Sequence, residues 1–140
     1  MSVAAVDLFP WTPEARYDVI VASLFQAPVD PLVGDATRPV DYWGRNAVDH
    51  VIRTLPRALA DDGVAYVLQT SLLSQERTID LLEHCGLRAR VVEFGFLPFT
   101  DYLRQSAEHL SRVERTSDAH HLDVCGSQFM VGYLLAITRR

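Results

Sequence analysis

Residues Tyr17 to Ala22 read YDVIVA, rich in β-branched side chains and nearly without polar alternation. A strand with one face in water alternates apolar and polar residues. A continuous apolar run is the mark of a strand buried on both faces, as in parallel sheets covered by helices. This run places the chain in the α/β class, and its flanks follow the same logic. Val3 to Val6 is a shorter apolar strand ending at Asp7. From Gly44 to Ala60 the positions Val48, Val51, Ile52, Leu55 and Leu59 keep helical spacing, Pro56 bends the helix, and Asp61, Asp62 and Gly63 terminate it. Val64 to Gln69 is the next strand. Ser74 caps a helix that runs through Cys85 and stops at Gly86. Leu87 to Leu97 is a strand, Phe99 to about Arg112 a helix, and Phe129 to Thr138 a closing strand. Strands alternating with helices of this length imply one domain, 1–140, with a mostly parallel or mixed sheet and helices on its faces.

Between the second strand and the first helix, residues 26 to 42 carry Pro28, Pro31, Gly34 and Pro39 without any period. A loop of about seventeen residues in a compact domain is a functional lid or a disordered segment. The chain has 140 residues, 49% of them hydrophobic, enough for a single core. No apolar run reaches the roughly 18 residues that span a bilayer, and the N-terminus lacks the basic-then-apolar order of a secretory signal, so a cytoplasmic protein without membrane contact is expected. All thirteen basic residues are arginines, dispersed along a chain of net charge -5, which excludes a nucleic-acid-binding stripe. Cys85 and Cys125 show neither disulfide nor zinc spacing and read as small core residues.

The ordered segments VDLF, YDVIVAS and LPRALADDGVAYVLQTS resemble the middle of class I S-adenosylmethionine-dependent methyltransferases, most closely the branch acting on protein glutamine and related amide or amine nitrogens. Tyr17, Asp18, Ile20 and Val21 match that branch's FDxIV strand. Leu59, Asp62, Gly63, Val64 and Val67 match its LLxPGGxLLL segment, and the stretch from Ser71 to Phe99 is similar too. The resemblance implies the C-terminal portion of a Rossmann-like three-layer sandwich, with a truncated, mostly parallel sheet and an antiparallel last strand. The family's first two strands and its GxGxG turn have no counterpart here: none of the seven glycines forms a GxG. Where the branch carries NPPY, this chain has Ser23, Leu24, Phe25 and Gln26.

In open α/β sheets, ligands bind beyond the carboxyl ends of the strands. The resemblance therefore implies that Asp7 accepts from the adenine amino group of S-adenosylmethionine, with Leu8 and Phe9 packed near the ring. Asp7 could instead open a turn before Pro10. Ser23 and Gln26 take the catalytic positions, and Leu24, Phe25 and Gln69 face the acceptor, a small molecule or peptide. The simpler reading of Ser23 is a strand-end hydroxyl bonded to local backbone, and of Phe25 a pocket wall or core filler. Asp18, near the start of its strand, is structural. Methyl transfer from a sulfonium needs mainly in-line positioning, so the reaction demands no dedicated nucleophile.

His121, Asp123 and Cys125 alternate and could converge on a metal, but no second ligand group accompanies them, and a loop leading into the last strand is the simpler reading. Trp11, Tyr42 and Trp43 flank the long loops as pocket walls or core cover. In the family the strands run three, two, one, four, five, seven, six. A chain that begins at the third of these leaves YDVIVA without its neighbour on one side, as an edge, and an apolar edge strand invites pairing. The expectation is that the Val3–Val6 strand moves beside it, that two copies pair as a homodimer, or that a heteromeric partner supplies the missing strands. A non-catalytic scaffold or regulatory subunit, or a piece of a longer enzyme, would carry the same sequence.

Overall fold

A computed structural model describes residues 5–30 and 41–140. The expected alternation of strands and helices is present: β1 (Tyr17–Ala22), α1 (Asn46–Ala58), β2 (Leu59–Thr70), α2 (Gln75–His84), β3 (Leu87–Pro98), α3 (Asp101–Gln105), α4 (Ala107–Arg115), β4 (Leu122–Val124) and β5 (Ser127–Arg139). The sheet order is β1-β2-β5-β3, with β4 also on β5. β1 and β2 are parallel, while β5 is antiparallel to β2, β3 and β4. The sheet is thus mixed rather than mostly parallel. The chain reverses at a tight turn after β4, where Cys125 and Gly126 both take positive φ, so β5 runs back between β2 and β3. Apolar runs mark which segments are strands but not which neighbours they take.

β2 alternates buried Ala65, Val67 and Gln69 with half-buried Val64, Tyr66 and Leu68. Its buried face lies under α1 and α2, which also touch each other. The core joins Val48, Ile52 and Leu55 of α1 to Val67 of β2, Leu82 of α2 and Ile137 of β5. The opposite face keeps Val19 and Val21 at 58% and 75% exposure. The helices α3 and α4 do not form a layer on that face. They meet the segments beyond the carboxyl end of β1, where the Phe25 and Tyr102 rings touch, His109 Nε2 bonds the Tyr42 carbonyl and Arg112 pairs with Asp30.

Several local expectations change. β1 is the edge of the sheet and mostly exposed, so its apolar run does not mark burial on both faces. Of the expected Val3–Val6 strand, residues 3 and 4 lie outside the described residues, and Ala5 and Val6 belong to no strand. The loop of residues 26 to 42 lies within the described residues only at its two ends. Those ends are joined by a bridge between Pro28 and Asp41. The helix expected from Phe99 is interrupted at Ser106, whose hydroxyl donates to the Tyr102 carbonyl while its N–H reaches only to Leu103.

Helix starts follow polar side chains. α1 lacks a capping side chain at Arg45, and Asp41 takes over, accepting from the N–H groups of Trp43 and Asn46. Ser74 caps α2 by accepting from Arg77 N–H at 3.1 Å. Asp118 accepts from the N–H groups of Gln75 at 2.8 Å and Glu76 at 3.1 Å, so three of the four free amides at that helix start are occupied. Gly86, at φ +68°, ends α2 as the sequence indicates. Gly44 is required where it stands: its φ is +69°, and a Cβ would lie 2.6 Å from the Pro28 nitrogen.

Candidate functional site

An apolar cavity of about 430 Å³ runs along the edge strand β1 and under α1. Ile20 and Ala22, on the helix-covered face of β1, form one wall with Ser23 and Leu24, while Val19 and Val21 lie at its outer rim; His50 and Thr54 of α1 form another, and Leu8 and Trp11 of the N-terminal segment close its side. The Thr54 hydroxyl is spent locally, donating to the His50 carbonyl at 2.9 Å. His50 Nε2 is buried without a hydrogen-bond partner among the described residues, an uncommon condition for an imidazole nitrogen. The Phe9 ring meets the His50 ring edge-on at 5.3 Å.

Only part of the expected site gathers here. Leu8, Ser23 and Leu24 line the cavity, as does Trp11. Phe9 reaches it only through its contact with His50. Asp7 is exposed, and its Oδ1 accepts from the N–H of Phe9 at 3.1 Å, which is the turn before Pro10. Phe25 turns away to meet Tyr102 edge-on at 6.0 Å.

Gln26 has another task. Its buried carboxamide donates to the Leu68 carbonyl and accepts from the Thr70 N–H at 2.9 Å. A residue in a parallel ladder bonds in this way to the two neighbours of the residue it faces. The side chain of Gln26 thus continues the pairing of β2 past the end of β1. A group tied up by these two bonds is not available to a reacting atom.

Gln69 lies on the helix-covered face of β2, 1% exposed, with neither amide atom hydrogen-bonded among the described residues. It lines a different cavity of about 200 Å³ with Thr78, Leu82, Val91 and Tyr133. The residues at the two strand ends are therefore split between two cavities on the helix-covered side of the sheet.

The His-rich segment is held by local bonds. His121 Nδ1 contacts Glu114 Oε1 at 2.5 Å, and its ring leans on Phe99. His120 N–H donates to the Ser71 carbonyl, and the Ser71 hydroxyl donates to the His120 carbonyl, joining this segment to the end of β2. Asp123 accepts from Gly126 N–H, and Cys125 is exposed in the turn. These residues do not converge.

His50 was not among the expected site residues. It lies beside the apolar stripe of α1, four residues before Thr54, where a polar pair reads as a solvent boundary. The cavity places that boundary inside a groove. Apart from Tyr17 and His50, the groove has no ionisable lining among the described residues, and these residues alone do not fit S-adenosylmethionine, whose amino-acid end needs charged or backbone partners. Set against known proteins, the chain matches no family model, no curated protein and no solved structure.

Proposed function

We propose that these 140 residues form the acceptor-side half of a S-adenosylmethionine-dependent methyltransferase domain. The cofactor turn would come from polypeptide outside them, packed along β1. The strand order carries this reading. In the class I order the last four strands run four, five, seven, six, with the seventh antiparallel. β1-β2-β5-β3, with β5 antiparallel between β2 and β3, has that arrangement. The edge that would meet the missing strands is β1, and the open apolar groove lies along it. In such an assembly Leu8, Trp11 and Leu24 would wall the adenine side, and S-adenosylmethionine would supply the transferable methyl group.

A second reading, a methyltransferase-like scaffold without turnover, is favoured by the structural commitments of Asp7 and Gln26. One experiment separates the two. The protein is captured from its native cells with whatever accompanies it, its intact mass is measured, and S-adenosylhomocysteine is titrated in by calorimetry. Saturable binding by the assembly, with none by residues 1–140 alone, is expected. If no assembly binds, the enzymatic reading is lost and the scaffold stands.

A further inference from the structure

The far edge of the sheet, β3, is open along its outer side among the described residues. It carries Val91, Phe94 and Phe96 at 55%, 60% and 62% exposure. The register against β5 shows which side chains share a face. Ala89, Val91, Phe94 and Phe96 stand opposite Ile137, Leu135, Tyr133 and Val131, so all four lie on the face covered by α2. Arg90 and Glu93 stand opposite Ala136 and Leu134, on the other face. In an unbroken strand, residues three apart point to opposite faces. The irregularity between Val91 and Glu93 is what puts both charges on one face.

We propose that β3 pairs antiparallel with β3 of a second copy of this chain, about a twofold axis between Val91 and Val92, giving one continuous sheet. In that register Arg90 faces the partner's Glu93, and Glu93 faces the partner's Arg90. Neither forms an ion pair within its own chain among the described residues. Sizes match as well. Ala89 meets Phe94 across the axis and Arg88 meets Gly95, where no atom lies within 4 Å of a built Cβ. Leu87 meets Phe96. The paired stretch, Leu87 to Phe96, spans about 34 Å.

A second copy is the occupant because the charge pattern is its own complement under a twofold, as an isologous contact requires. The edge at β1 has only Asp18, which has no opposite charge on that strand to meet. Ile79 of α2, 56% exposed, lines the same cavity as Val91, so the two α2 helices would flank the axis and extend the apolar seam.

The test is sedimentation or light scattering over a concentration series, with far-UV circular dichroism confirming that each variant is folded. The wild-type chain is expected to be a dimer. Glu93→Arg, which sets like charges together twice, should weaken it at least tenfold, and Arg90→Glu combined with Glu93→Arg should restore it. Val21→Lys on β1 should leave it intact. Hydrogen exchange adds a readout without mutation: β3 amides should gain protection as concentration rises. A wild-type monomer at all concentrations would overturn the proposal. So would a dimer indifferent to Glu93→Arg, a double variant that stays monomeric while folded, or a dimer dissolved by Val21→Lys.

Discussion

Gln26 shows how a side chain can do the work of backbone. Its carboxamide pairs with Leu68 and Thr70 where β1 has already ended. Gln26→Leu would keep the bulk and leave a buried amide N–H and a carbonyl unmatched. At roughly 1–3 kcal/mol for a stranded group, the expected loss is about 2–4 kcal/mol in urea unfolding. Asp118 acts on a helix start. Burial would raise its pKa, but the Ser74 hydroxyl and the N–H groups of Glu76 and Gln75 outweigh that, and the carboxyl is held below its ordinary value. A carboxyl depressed in the folded state contributes stability above its unfolded pKa, near 3.9, and the contribution fades as pH falls through the folded value. Asp118→Asn should therefore be less stable than wild type at neutral pH, with the gap narrowing below about pH 4. Urea midpoints across pH 2–7 check this; a gap constant with pH would refute it.

Between elements, Arg45 is the principal polar tie. It is 4% exposed, and its guanidinium donates to the Ser74 carbonyl at 2.6 Å, Asp49 at 2.7 Å and the Thr78 hydroxyl at 3.0 Å. The start of α1 is thereby joined to the start of α2. Removing one partner of a buried charge network costs about 3–5 kcal/mol, less here because Asp49 is partly exposed. Arg45→Met should lower stability by about 2–4 kcal/mol. Arg45→Lys should recover less than half of that, since an ammonium cannot reach three acceptors from one planar fork. Thermal or chemical denaturation of the two variants decides it. Most of this element layer was legible in the sequence: helix spacing placed α1 within two residues at each end, and Ser74 and Gly86 bounded α2. The break at Ser106 was not, because the residue pattern from Phe99 to Arg112 carries no glycine or proline to mark it. The site was less legible still. Leu8, Ser23 and Leu24 line the groove. Gln26, Phe25 and Gln69 do not, because loop direction and which helix covers a strand end, unlike strand identity, are settled by distant contacts.

On the scale of the whole molecule, the two open edges differ in chemistry, and that difference is testable. β1 exposes Val19 and Val21 beside a groove whose one buried orphan nitrogen, on His50, is unpaired among the described residues. Apolar surface of this kind at an unpaired edge fits a surface that another segment covers. Val21 is 75% exposed, so Val21→Asp removes almost no burial from the chain by itself. Its effect on the stability of residues 1–140 should stay within about 0.5 kcal/mol, the usual range for surface changes. Against a completing strand the same carboxylate would lose its water at the junction, and binding should fall by at least tenfold. Denaturation of the isolated chain and calorimetry of the completed assembly give the two numbers. A variant that destabilises the isolated chain by several kcal/mol would mean that Val21 is already covered. A variant that weakens neither would mean that nothing packs along β1, leaving β3 as the edge through which this sheet associates.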